Sequence, residues 1–589
     1  MKRQRLYRLI FSLSAVFFLG ACSLKEYDPH GGVTAEDIFT TPEGYGQLIN
    51  ACYINLSRML YGRENMILMT EGGTDLWITN GNGTGYRQFL KYLDLTSSIG
   101  GSKDIWNGCY DAINLCNAAI ERAERAGFKT EEEKNAKVAE ARFLRAFYYF
   151  HIVEQFGGVY LQTAETDAPK FILERSPVEA FYDVIIPDLQ FAAQWLPVEQ
   201  DDVGRAVRRG ALGMLAKAAL QRTAYGDVET YATIARDAAA ELINNKAAYQ
   251  AELYPTFAEV FDPANNKTNK ESLIRVTFST NSALFTNSNP NRLFTWISHA
   301  SFKGVAGLID PGKPTEVGYK SGAIMQPTKF LFTRFNEDMD ARYDVTFKQA
   351  YRNNGSLYTW NEADQVKFLK DPSVIGRQVE VGDTSFAFSK KPILGQAILP
   401  YVAVTLNDVY DPDTDTVLVN LKSNPDRSSP FKTLFASFVK YDNPALTAAN
   451  NKYMMADVIV MRFAEAYLIA AEAEILLNRP GEAVGYVNTL RERASLSPSD
   501  FVEGRMKTTA ADMTIDFILD ERARELCGEH TRWYDLKRTK TFEQRLGLGK
   551  ANPDIRSFDP AVNYVRPIPI TFLNSIDNRD EFGQNPGYL

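Results

Sequence analysis

The chain has 589 residues, 45% of them hydrophobic and 23% charged, the make-up of an ordinary globular protein with room for several hydrophobic cores. Its formal net charge is -8, and its first 21 residues carry four cations and no acid, so the remainder is more acidic still. Such a body lacks the basic footprint that nucleic-acid binding requires.

Lys2, Arg3, Arg5 and Arg8 precede an apolar run from Leu9 to Leu19, and Gly20-Ala21-Cys22 close it. Charge, apolar run and small residues in that order make a secretory signal. The run falls short of the ~20 residues that span a bilayer. A cysteine directly after the small pair resembles the bacterial lipobox, where it becomes the lipidated N-terminus. Residues 1–21 are thus expected to be removed and Cys22 to carry the acyl chains. Each buried methylene contributes ~0.8 kcal/mol, so two or three chains anchor durably where one does not. The other cysteines are Cys52, Cys109, Cys116 and Cys527. Cys109 and Cys116 lie ~10.5 Å apart along a helix, too far for a disulfide. All four are expected to be small buried hydrophobes.

Residues 22–250 read as helices. Trp106, Tyr110, Ile113 and Ile120 share one stripe. The next helix, Glu131 to Phe156, is apolar nearly all round from Phe143 onward and should be buried. Gly157-Gly158 ends it. A further pair, Val207 to Tyr225 and Val228 to Asn245, turns at Gly226. Residues 251–452 change texture: short strands such as Ser272 to Phe278 stand among loops rich in Asn, Gly, Ser, Pro and Asp. Loops on a rigid scaffold are where binding residues concentrate. Residues 453–589 return to helix. From Ala464 to Ala494 two helices flank Asn478-Arg479-Pro480-Gly481, with Ala471 and Ala483 spaced like the small residues of a 34-residue tetratricopeptide unit. The expected fold is mainly α, a tetratricopeptide-like helical-repeat scaffold with a large loop-rich insertion containing short β-strands, its regions packed as one body.

Four segments carry a family resemblance: WNGCYDAINLCNAAI (Trp106–Ile120), EARFLRAFYYFHIVEQFGGVYL (Glu140–Leu161), ERARELCGEHTRWYDLKR (Glu521–Arg538) and RPIPITFLNSIDNRDEFGQNPGYL (Arg566–Leu589). In order and spacing they resemble signatures of the SusD/RagB family and cover nearly the whole mature chain. Gly528-Glu529-His530 departs from the aromatic, Glu and Gly expected there, in a scaffold turn. The resemblance implies a SusD-like fold and a lipid-anchored, surface-facing outer-membrane lipoprotein of a Bacteroidetes-type bacterium. It further implies a lid over a SusC-like TonB-dependent transporter, capturing oligo- or polysaccharide for import. Lys25-Glu26 resembles the short signal that sends such lipoproteins to the outer leaflet. Two alternatives stand beside glycan capture: a peptide-binding lid of RagB type, and a transporter-binding module with no ligand of its own. No cofactor is implied.

An enzyme reading finds few residues to carry it. There are four histidines, and two of them, His151 and His530, sit inside the family signatures. That leaves too few for a histidine metal site or a dispersed triad. No GxSxG elbow, HExxH helix, phosphate-binding loop or dinucleotide fingerprint occurs. Carboxylate pairs of the glycosidase kind stay open among 73 acids, but the chain is expected not to be an enzyme. Asp411, Asp413 and Asp415 suggest a calcium loop, yet Thr416 and Lys422 stand where that loop needs Gly and Glu. A polar turn is expected, and no metal.

A neutral glycan needs flat aromatic rings for its C–H faces and polar side chains for its hydroxyls. Trp106, Trp195 and Trp533 lie in periodic helical segments and are assigned to the core, whereas Trp77, Trp296 and Trp360 lie in polar, loop-like surroundings. Trp77 is the first ligand candidate, with Asp75, Asn80, Tyr86 and Arg87 beside it; Trp296 with Arg292, and Trp360 with Tyr358, follow. Cys22→Ala should abolish incorporation of labelled fatty acid and release the protein from outer membranes; unchanged labelling and retention would refute the anchor.

Overall fold

The structure, a computed structural model, describes residues 38–79, 86–279, 281, 291, 293, 305–308, 325–442, 454–546 and 551–588. The leader and Cys22 lie outside the described residues.

The first helix, α1 (Pro42–Asn55), begins where the Thr41 hydroxyl accepts the Gly44 N–H at 3.1 Å, with proline at the first position. A π-helical turn, α2 (Glu64–Thr70), β1 (Trp77–Ile78) and α3 (Tyr86–Lys91) follow. Then come α4 (Gly100–Arg122), α5 (Glu131–Phe156), α6 (Val178–Trp195), α7 (Arg208–Arg222) and α8 (Val228–Asn244). Thr130 caps α5, and Glu131, Glu132 and Glu133 complement the positive end of its dipole. Gly157, at φ 74°, closes it as expected.

The strands named here are β2 (Ser272–Val276), β3 (Gln326–Pro327), β4 (Ala350–Arg352), β5 (Thr384–Ser389), β6 (Val402–Thr405) and β7 (Val458–Arg462). The C-terminal helices are α9 (Phe463–Leu476), α10 (Pro480–Ala494), α11 (Ile515–Leu526) and α12 (Arg532–Thr539).

From α4 to α10 each helix packs on the next, and α8 packs directly on α9 although some 220 residues separate them in the chain. The helical array therefore runs straight through the insertion. The chain enters and leaves that insertion on one antiparallel pair, β2 with β7, Val276 opposite Val458 and Ser272 opposite Arg462. Ala471 and Ala483 are fully buried at the α9–α10 crossing, with Val487, Met513 and Ile518 around them, as the repeat spacing predicts. Within the insertion β5 pairs antiparallel with β4 and parallel with β6. One contiguous core includes Trp106, Phe388 and Leu519, from all three regions. Cys52, Cys109, Cys116 and Cys527 are buried free thiols, as expected. Trp106 and Trp533 are buried too, and Trp195 is half-buried.

Three arginine side chains buried in this core are neutralised in place. Arg342 pairs with Asp340, Glu521 and Glu525; Arg462 pairs with Glu271, Glu525 and Glu529; Arg493 pairs with Glu271 and Glu525. Burial opposes ionisation of Glu525, but Arg493, Arg462 and Arg342 outweigh it and hold its pKa at about 2. Its contribution to stability is therefore complete above the ordinary carboxylate range and lost only as pH falls toward 2.

Candidate functional site

Thr70 ends α2, and Glu71 turns inward, fully buried. Its Oε2 accepts the Trp77 indole N–H at 2.8 Å and the Gly528 amide at 3.2 Å. Its Oε1 accepts the amides of Thr531 and Arg532 at 3.0 and 3.4 Å. One carboxylate thus nails β1 to the turn before α12. Gly528 is required there: it sits at φ 76°, and a Cβ would stand 2.5 Å from the Phe438 ring. Beside it the Asp75 carboxylate accepts from Arg532 Nε and Nη2 at 2.7 and 2.5 Å. The Asn552 amide donates to the carbonyls of Thr74 and Trp77 at 2.6 and 2.8 Å.

Across from this, β1 pairs antiparallel with β3, Trp77 opposite Pro327 and Ile78 opposite Gln326. Thr328 donates through its hydroxyl to the Asp75 carbonyl at 2.8 Å, and Tyr410 donates to the Pro327 carbonyl at 2.5 Å. The result is an anchor whose two carboxylates, with the carbonyls of Thr74, Asp75 and Trp77, are bonded to partners from distant parts of the chain.

Two tryptophan assignments need correction. Trp77 is 0% exposed: its indole N–H is taken by Glu71 and its ring meets Phe438 edge-on at 5.3 Å. Trp360 is 1% exposed, donating to the Pro400 carbonyl at 2.7 Å and packed between Tyr358 and Phe368. Neither ring is a platform for a sugar. Asp75 is likewise consumed by Arg532. Their polar sequence neighbours hid strands and partners that come from far along the chain.

Of the other candidates, Arg87 remains accessible in an exposed ion pair with Asp94, and half-buried Tyr358 donates to Asp364 at 2.8 Å. Asn80, Arg292, Trp296 and the side chain of Tyr86 lie outside the described residues. The structure brings Trp77 and Asp75 together, but as a support and with Glu71, Arg532 and Asn552, which the sequence reading passed over. An acid directly after the apolar run of α2 was the available signal for Glu71. The aspartate-rich stretch is the expected polar turn: Asp411 accepts the amides of Asp413 and Thr414, and Lys422 bridges Asp411 and Asp413. His151 and His530 are scaffold residues, bonded to Tyr534 and Thr70, and burial drives the pKa of His530 down to about 3.

Burial raises the pKa of Glu71 to about 7 against the pull of its four N–H donors. Between the ordinary value of 4.5 and about 7 the folded chain holds a proton that the unfolded chain has lost. This group's stabilisation is thus present in acid and lost as pH rises through 7. Glu71→Gln cannot titrate and turns an amide donor toward other donors. It should cost ~1–3 kcal/mol and narrow the stability difference between about pH 5 and about pH 8 in denaturant titrations. An unchanged pH dependence would contradict this assignment.

Comparison with known proteins agrees with the geometry. A family model described as the SusD family matches residues 309–588, and one described as "Starch-binding associating with outer membrane" matches residues 85–220. SusD-like protein P2 of Formosa agariphila is 27% identical over 594 residues, 99% of each chain. Starch-binding protein SusD of Bacteroides thetaiotaomicron is 30% identical over 155 residues, 26% of each chain. Surface glycan-binding protein A from Bacteroides thetaiotaomicron, solved with laminarihexaose, shares the fold at a TM-score of 0.63 and 17% identity, covering 92% of this chain and 99% of that one. With the helical array, the loop-rich insertion and the C-terminal signatures all in place, the chain belongs to the SusD-like family.

Proposed function

We propose that this chain is a surface lipoprotein of the outer membrane that captures glycan and delivers it to a SusC-like TonB-dependent transporter. The observation that carries the reading is the anchor at β1 and β3. It spends a buried carboxylate, an arginine and an asparagine on fixing β1 between β3 and the turn before α12. A fixed scaffold under variable loops is what recognition of an extended ligand needs. The relatives' names support the ligand class, since they specify starch and laminarihexaose.

With Trp77, Asp75 and Trp360 withdrawn, the proposed contacts are Asn80, Tyr86, Arg87, Arg292, Trp296 and Tyr358. Affinity electrophoresis of the mature protein through a polysaccharide panel should show retardation by at least one neutral glucan. Trp296→Ala should remove it without lowering the melting temperature. Failure of every polysaccharide to retard the wild type would overturn glycan capture.

A further inference from the structure

Arg209 stands at the start of α7 and Arg275 on β2, and both line one cleft of about 600 Å³, the size of a small-ligand site. Helix and strand are pressed together there: a Cβ on Gly210 would stand 2.8 Å from the Leu273 carbonyl oxygen. Six cations and three acids line the cleft, so it is positive within a chain of net charge -8. Three of these cations are already paired: Arg205 with Glu140, Lys267 with Asp457, and Lys270 with Glu252. Arg209, Arg275 and Lys246 form no ion pair among the described residues.

The two arginines are held by backbone alone. Arg209 donates through Nη1 to the Gln250 carbonyl at 2.8 Å, and its Nε is buried without a partner. Arg275 donates to the carbonyls of Lys267 and Asn269 at 2.9 and 2.7 Å. Burial lowers the pKa of both, and Arg275 lowers that of Arg209 further, while Glu199 and Asp457 act the other way. The N-terminal end of α7 adds its own positive field. Two half-buried guanidiniums that repel each other and form no ion pair among the described residues leave an anion's place open.

We infer that this cleft binds the carboxylate of an acidic oligosaccharide, with Arg209 and Arg275 as the anion-recognising pair. The inference rests on the glycan-capture reading and adds a second contact region, separate from the loop anchor. Half-buried Tyr53 borders the same cleft and offers an apolar edge to the C–H face of a sugar. A peptide is disfavoured, because α7 covers β2 at Leu273 where an added strand would need a free edge.

Isothermal titration of the mature protein with oligogalacturonate, its carboxyl-reduced neutral counterpart and a polyglutamate peptide decides the matter. The acidic sugar should bind roughly tenfold or more tightly than the neutral one. Arg209→Gln and Arg275→Gln should each erase that preference, a loss in line with charge-assisted hydrogen bonds. Arg275→Lys, which keeps the charge but not the fork, should retain part of it, and unchanged melting curves establish that each variant is folded. Equal affinity for both sugars, wild-type binding by both glutamine variants, or tighter binding of polyglutamate would each overturn the inference. Retardation by neutral polysaccharides in the electrophoresis, together with any of these results, would leave glycan capture standing.

Discussion

Glu71 and Asp75 are buried carboxylates on a short stretch between α2 and β1, and both are satisfied by the turn that opens α12. An isolated buried carboxylate is too costly to keep, so this stretch folds only where the C-terminal turn is already in place. The dependence runs both ways. Without Glu71 the amides of Gly528, Thr531 and Arg532 have no acceptor here, and without Asp75 the Arg532 guanidinium loses its only ion pair among the described residues. The first and last parts of the chain are tied together at β1.

The same logic repeats deeper in. Glu271 and Arg342 belong to the insertion, Arg462 lies on its returning strand, and Glu521, Glu525 and Glu529 belong to the C-terminal signature. Each is acceptable in the interior only because the others arrive. Such a network adds little net stability over an apolar core, but losing one member is expensive. It therefore acts on geometry, fixing how the loop-rich insertion is seated on the helical array that α8 and α9 continue.

The helical scaffold was legible in the sequence because its signals are local. Periodic apolar stripes, Gly157 after Phe156, and Ala471 with Ala483 each report on neighbours within a few turns. The site was legible only in part. Trp77 and Trp360 sit among glycines, asparagines and threonines, yet their burial is decided by Phe438, Pro327 and Pro400, which no local pattern announces. Arg209 and Arg275 went unnoticed for a related reason. Each is ordinary in its own segment, and the meaning lies in α7 and β2 converging on one cleft.

The central claim is that Asp75 and Arg532 act as one unit coupling the loop anchor to the scaffold. A double-mutant cycle on unfolding free energy, using Asp75→Ala, Arg532→Ala and the pair, measures this directly. Each single variant should lose ~3–5 kcal/mol by stranding a buried charge. The double variant should lose little more than either one. Losses that simply add would mean that the two residues stabilise the fold independently, and the account of the anchor would fail.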